Sequence, residues 1–367
     1  MKCARSVLGA EYGKTGQAGQ ADEAIQLAAK LLREGCLVAF PTETVYGLGA
    51  NAWDYDAVEK IFLAKGRPSD NPLIVHFAKV EDIAWVADCD RMTTVIRERL
   101  QRLADAFWPG PLTCIVPANR RVAANVTAGL DTVGVRVPDH PVALAILQTA
   151  SVPVAAPSAN LSGKPSPTLA EHVVHDLQGK IPLVIDGGAA DVGVESTVLD
   201  ICSEVPMILR PGGVSLEQLR AVLGQVSVDP AVDTTDVIDA TDGIAVVPRS
   251  PGMKYRHYAP EAKVFVFFEQ SVHRVIEMLG TLPPNCRIAL ICSEQSYAAH
   301  FKGAGVAIQF LITHKQSSEL VAQKLYDWLR QIDQQSLQVV FVEAISTDGV
   351  GDAVMNRMLK AAGGSVL

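Results

Sequence analysis

The chain has no apolar run near the ~18 residues needed to cross a bilayer as a helix, so no integral helical membrane protein is expected. Its opening stretch, MKCARSVLGAEYGKTGQAG, lacks the apolar segment of a secretory leader. Seven cysteines (Cys3, Cys36, Cys89, Cys114, Cys202, Cys286 and Cys292) include no Cys-x-x-Cys pair. That argues against a disulfide framework or a zinc knuckle and makes a reducing cytoplasm the expected compartment. Positive charge is scarce as well: 32 Lys plus Arg face 40 Asp plus Glu, a net charge of -8. Such a balance disfavours wrapping a long nucleic acid by charge alone, yet leaves room for a local basic pocket. A nucleophile elbow of the G-x-S-x-G type is missing. GAEYGKT fails as a phosphate loop because Leu8 stands where its first glycine is required, and GLGANA follows PTETVY rather than a strand feeding a helix.

What is present is an ordinary soluble composition, 49% apolar and 20% charged, in 367 residues, enough for two domains of ~150 residues. From Ala21 helical and strand-like patterns alternate, which reads as α/β. ADEAIQLAAKLLREG and DYDAVEKIFLAKG read as helices, the second with Asp54 as N-cap and Val58, Ile61 and Phe62 on one side. CLVAFP, PLIVHF, TCIVPA, TVGVRVP, VPVAAPS, PLVIDGG and STVLDI read as short strands. VSVDPAVDTTDVIDATDG, with five Asp and no basic residue, reads as an exposed connector running into the denser VVPRSPGMKYRHYAPEA. Beyond Pro260, KVFVFF, RIALICS, VAIQFLI and QVVFVEA suggest a parallel sheet buried on both faces. A helix with core positions Val321, Leu325, Trp328, Leu329 and Ile332 precedes the last of them. His172 and His175, three apart on a helix, lack companions for a metal site and read as a solvated face.

Two segments hold polar groups in stiff turns. Lys65 and Arg67 flank Gly66 ahead of Pro68, an arrangement that suits a polyphosphate and equally a solvated basic loop. As cations facing a polyphosphate, both are expected to matter more for turnover than for folding. PVAAPSANLSGKPSPT offers hydroxyl and amide groups on a proline-held loop, suited to phosphate or ribose but also to plain turn chemistry.

PTETVYGLG, LAKGRPSDNPL, PSAN and SPGMKYRHYAP occur in that order, with GVGDAVMNRMLKAA closing the series. On these motifs the chain resembles the threonylcarbamoyl-AMP synthase family in its long form. The resemblance implies an α/β fold: a YrdC-like twisted mixed open sheet with helices over 1–228, and a smaller C-terminal Rossmann-like doubly wound domain over 261–367. It makes 229–260 an interdomain linker acting as an active-site lid. It implies a nucleotidyltransferase that converts L-threonine, bicarbonate or CO2, and ATP to threonylcarbamoyl-AMP and pyrophosphate. The product would pass to a separate tRNA threonylcarbamoyl transferase complex, for the first step of a tRNA adenosine modification.

By the same resemblance Lys65, Arg67, Ser158 and Asn160 are the catalytic set. Arg67, Asn71, Thr132, Ser158, Ser166, Arg210 and Tyr258 match ATP positions, and Thr44, His76, Arg136, Ala156 and Ser196 match the L-threonine pocket. Mg2+ is expected with ATP, held by phosphates rather than by protein side chains. A double-stranded RNA or tRNA-binding module is the alternative, with at most a weak tRNA contact given the net charge. The carbamoyltransferase of hydrogenase maturation, a longer chain with zinc-finger cysteines, is disfavoured by the absent Cys-x-x-Cys.

Overall fold

A computed structural model describes residues 6–9, 18–232, 259–305 and 308–367, with side chains from Ala21 onward. Tyr258 and most of the expected lid, residues 233–258, lie outside the described residues.

The first sheet contains β1 (Ser6–Gly9), β2 (Val38–Phe40), β3 (Gly47–Asn51), β4 (Ile74–His76), β5 (Leu112–Pro117) and β6 (Thr132–Arg136). It continues with β7 (Val154–Ala155), β8 (Leu183–Asp186), β9 (Thr197–Asp200), β10 (Met207–Arg210) and β11 (Ser227–Val228). Its order is β1-β8-β2-β3-β7-β4-β6-β5-β9-β10-β11, with parallel and antiparallel neighbours mixed. The helices of this half are α1 (Ala18–Arg33), α2 (Tyr55–Lys65), α3 (Thr94–Phe107), α4 (Ala124–Thr127), α5 (Pro141–Ala150), α6 (Ala170–Leu177) and α7 (Leu216–Leu223). Ile25, Ala28 and Leu32 of α1 pack with Val142, Ile146 and Leu147 of α5 on one sheet face. Val58 and Ile61 of α2, Leu103 of α3, Val173 of α6 and Leu219 of α7 build the core on the other. Asp54 caps α2 as expected, its side chain accepting from Ala57 N at 3.0 Å.

The second sheet is wholly parallel: β12 (Lys263–Phe267), β13 (Ile288–Ser293), β14 (Phe310–His314) and β15 (Val339–Glu343), in the order β12-β15-β13-β14. Four more helices belong here: α8 (Val272–Thr281), α9 (Glu294–Ser296), α10 (Ser318–Gln334) and α11 (Gly351–Ala362). The expected core positions of α10 are all buried. Val45 and Val194, from loops of the first sheet, share the core formed by α10 and α11. This helical layer therefore lies between the two sheets and joins them. Among the described residues no helix is long and apolar enough to cross a membrane.

GLGAN, unassigned from the sequence, is strand β3; a Cβ at Gly49 would stand 2.8 Å from both Phe40 and Val154, so this strand needs a glycine there. Three readings of the sequence need correction. β14 alternates partly exposed and exposed residues up to the buried His314, because it is the sheet edge rather than a strand covered on both faces. The connector is not exposed from its start: Asp229 and Val232 are buried, and Val232 O accepts from Asn356 Nδ2 at 3.0 Å. His172 is buried 3.4 Å from Asp327 of α10, so only His175 is on the solvated side of α6.

Candidate active site

One cavity opens where the first sheet, the loop after β7 and the turn before β9 converge. It is lined by Thr44, Lys65, Arg67, His76, Arg136, Ala156, Ser158, Asn160, Ser166, Ser196 and Arg210, all of them sequence-derived candidates. Asn71 and Thr132 are not part of this lining. Asn71 is fully buried just beyond Arg67, with neither amide atom hydrogen-bonded among the described residues.

The first wall is set by strand register. β4 and β6 are parallel neighbours with His76 opposite Arg136 at their ends, so both side chains reach the cavity together. Thr42 Oγ1 lies 2.8 Å from Thr44 Oγ1 and accepts from Val45 N at 3.2 Å, a hydroxyl turn that fixes the loop carrying Thr44. Arg136 Nη2 donates to Glu43 Oε1 at 2.6 Å and to Thr44 Oγ1 at 2.9 Å, while Nε donates to Gly110 O. Both ions are about 5% exposed, and each compensates the other's desolvation. His76 stands beside this guanidinium; burial, then Arg136, drives its pKa down to about 3, leaving a neutral imidazole.

The opposite wall is built on the turn Glu195–Ser196 and on Arg210. Arg210 donates to Ser196 O from Nη2 at 2.9 Å and to Ser196 Oγ at 3.2 Å, and Ser196 Oγ also meets Thr113 Oγ1 at 2.8 Å. A Cβ on Gly212 would lie 2.2 Å from Thr197 N and 2.4 Å from Glu195 O, so glycine alone lets the turn after β10 press against this segment.

Lys65 and Arg67 are not a matched pair of cations. Lys65 ends α2 and is 3% exposed; its ammonium donates to Ser158 O and Asn160 O, both at 2.5 Å, and to Asn160 Oδ1 at 3.3 Å. Its three donors thus hold the PSAN loop, and burial followed by the nearby Arg67 lowers its pKa well below the ordinary lysine value. The same loop closes on itself through Ser158 Oγ, which donates to Asn160 Oδ1 at 2.6 Å. Arg67 is half-buried and braces its own turn, Nη2 donating to Pro72 O at 3.2 Å.

Sequence reasoning missed Glu43, Glu195 and Thr113. Each of the two carboxylates is the lone acid in a small or apolar run, and such a run is where a buried, paired charge is to be sought.

The architecture and this cavity define a two-sheet α/β protein with a polar cavity whose two walls each carry a buried arginine. A family model described as "Telomere recombination" matches residues 30–212, and another described as "Threonylcarbamoyl-AMP synthase, C-terminal domain" matches 214–363. The chain is similar to the threonylcarbamoyl-AMP synthase of Bacillus subtilis, 46% identical over 94% of this chain and 95% of that protein. It is similar to the synthase of Pyrococcus abyssi at 45%, over 92% and 94% of the two chains. The solved structure of P. abyssi Sua5 with L-threonine superposes with a TM-score of 0.86 at 40% identity, covering 99% of both chains. The chain belongs to the threonylcarbamoyl-AMP synthase family.

Proposed function

We propose that the protein is an L-threonylcarbamoyl-AMP synthase, a nucleotidyltransferase that makes its product from L-threonine, bicarbonate or CO2, and ATP. The amine of threonine adds to CO2 and loses a proton, giving a carbamate. A carbamate oxygen then bonds to the α-phosphorus of ATP as the bond to pyrophosphate breaks. No covalent enzyme intermediate is needed, in keeping with the absent nucleophile motif, and catalysis rests on positioning and fixed charge.

The observation that carries this reading is the pair of arginine-bearing walls in one cavity. Threonine fits against the wall of Thr44, His76 and Arg136, with Ala156 beside it and Ser196 reaching it from the opposite wall. Arg136 has donors beyond those given to Glu43 and meets the carboxylate, and neutral His76 and the hydroxyl groups serve the polar ends without adding charge. ATP fits the side of Arg67, Ser158, Ser166 and Arg210, with Asn71 behind Arg67 and with Thr132, outside the cavity lining, and Tyr258 of the linker as further candidates. Lys65 and Asn160 act here by shaping the loop that receives the phosphates.

Magnesium enters with the nucleotide, as Mg·ATP. Among the described residues no group of three or more His, Cys, Asp or Glu could hold a metal, and Glu195, which lines the cavity, is engaged by Ser166, Tyr326 and Arg357. The triphosphate is its natural ligand. A separate transferase must consume the product, since a mixed anhydride is an activated donor.

The test is incubation with ATP, L-threonine and bicarbonate, following pyrophosphate and the mass of the adenylate. Pyrophosphate release that depends on all three substrates is expected. Release independent of threonine, or none, overturns the reading.

A further inference from the structure

Glu195 lines the cavity but belongs to neither expected substrate set. It is 6% exposed, and both carboxylate oxygens are engaged. Oε1 accepts from Ser166 Oγ at 2.6 Å and from the Tyr326 hydroxyl at 3.0 Å. Oε2 accepts from the same hydroxyl at 2.9 Å and from Arg357 Nε at 2.9 Å. Tyr326 is on α10 and Arg357 on α11, so these two donors come from the second domain, 131 and 162 residues away in sequence. Both side chains are wholly buried, and Arg357 Nη2 also donates to Pro211 O, two residues before Gly213 in the turn that follows Arg210. One turn along α10, Arg330 donates to both oxygens of Asp176 and to Pro165 O, the residue preceding Ser166. Two helices of the C-terminal domain therefore hold the Ser166 segment from behind.

The chemistry of this chain of contacts is directional. An ionised carboxylate only accepts, so Ser166 spends its single proton on Glu195 and shows the cavity only lone pairs. It can take a hydrogen bond from a ligand and cannot give one. A phosphate oxygen is itself an acceptor and gains nothing there, whereas a sugar hydroxyl or an exocyclic amine is served well. The groups facing Glu195 among the described residues are Ser166 of the loop after β7, Arg210 of β10, Tyr326 of α10, and Arg357 and Lys360 of α11. Burial alone would raise its pKa; Arg357 and then Arg210 outweigh that and hold it at about 2.

We propose that Arg357 and Tyr326 are positioning residues for ATP: Arg357 keeps Glu195 a carboxylate and the Tyr326 hydroxyl holds both its oxygens in place, which fixes the Ser166 hydroxyl as an acceptor for a hydrogen-bond donor of the nucleoside. The inference rests on the synthase reading, and it gives the C-terminal domain a direct part in nucleotide selection.

The experiment measures the Kd of a non-hydrolysable ATP analogue and of L-threonine by calorimetry, together with pyrophosphate release, for the wild type, Tyr326→Phe, Arg357→Met and the double variant Glu195→Gln/Arg357→Met. Both single variants are expected to weaken nucleotide binding up to about 10-fold, the net size of one neutral hydrogen bond, and to leave threonine binding within twofold. For Arg357→Met the ratio of its Kd to that of the wild type should fall between pH 5 and pH 7 as Glu195 re-ionises, and this slope should vanish in the double variant. Analogues lacking the 2′-hydroxyl, the 3′-hydroxyl or the amino group identify the donor: the one that matters should lose affinity in the wild type but not in Tyr326→Phe. Tyr326→Phe keeps the ring and its packing, so it decides the matter even if Arg357→Met does not fold. Unchanged nucleotide affinity in Tyr326→Phe, or equal losses for both substrates with no pH slope, overturns the proposal. Failure of the wild type itself to release pyrophosphate would overturn the synthase reading instead.

Discussion

The two walls of the cavity balance their charge differently. Arg136, at the end of β6, is matched by Glu43 of the loop between β2 and β3, within the first domain. Glu195, on the wall of Ser196 and Arg210, is matched by Arg357 from across the domain boundary. Both pairs are buried, and in either the loss of one partner strands the other in a low-dielectric interior. The difference is one of dependence. The Arg136–Glu43 pair is made between residues of the first domain, whereas the Glu195 pair is complete only when α10 and α11 are docked. A fold assembled this way ties the wall that carries Ser166, Ser196 and Arg210 to interdomain packing, while the Arg136–Glu43 pair is made within a single domain.

The largest effect expected from this contrast concerns the amino acid. A wall of hydroxyls, a neutral imidazole and a compensated arginine should reject an analogue lacking the threonine hydroxyl by ~10⁴ in kcat/KM, as sites built to bond a hydroxyl do. 2-Aminobutyrate should therefore be almost inert. Serine lacks only a methyl and should lose roughly 10- to 200-fold. The KM for ATP should be the same with either amino acid. Comparable turnover of threonine and 2-aminobutyrate would break the assignment of this wall.

Next in size is a difference between two cations that look alike in sequence. Lys65→Met leaves two buried carbonyls of the PSAN loop without their donor, and a loss of about 2 kcal/mol is expected in chemical denaturation. Arg67→Met, at a half-buried turn, should lose under about 1 kcal/mol while still abolishing most pyrophosphate release. Equal stability losses would restore the simpler view of both as phosphate-facing cations.

A smaller effect concerns pH. The folded chain binds a proton at His76 only near pH 3, whereas the unfolded chain does so near 6.5. Below about 6.5 the unfolded state therefore carries the extra proton, so this residue's contribution to stability is lost as pH falls from 6.5 towards 3 and is constant above. His76→Gln should flatten the urea midpoint between pH 7 and pH 5 relative to the wild type. An unchanged slope would show that the imidazole is not held neutral.

Much of the fold was legible because core periodicity and turn residues are local signals. The α10 core positions and the Asp54 cap came directly from spacing. β3 did not, because its glycines serve a close approach of Phe40 and Val154 that no window of sequence contains. In the site, the spacing of Lys65 and Arg67 suggested an anion loop but not that Lys65 turns inward to hold another segment 93 residues away. Thr44, His76 and Arg136 were approached through motif resemblance; strand register is what brings the last two together. Glu195 was invisible for a physical reason: a buried carboxylate is tolerated only through partners, and its partners, Tyr326 and Arg357, lie on helices of another domain.

The most direct test of the two-wall account is calorimetric binding of L-threonine and of a non-hydrolysable ATP analogue to Arg136→Met and Arg210→Met. The account predicts a crossed result. Arg136→Met should lose threonine affinity by about 10- to 100-fold, the worth of a charged hydrogen bond, and keep the nucleotide; Arg210→Met should do the reverse. Parallel losses of both ligands in both folded variants, or no loss in either, would contradict it.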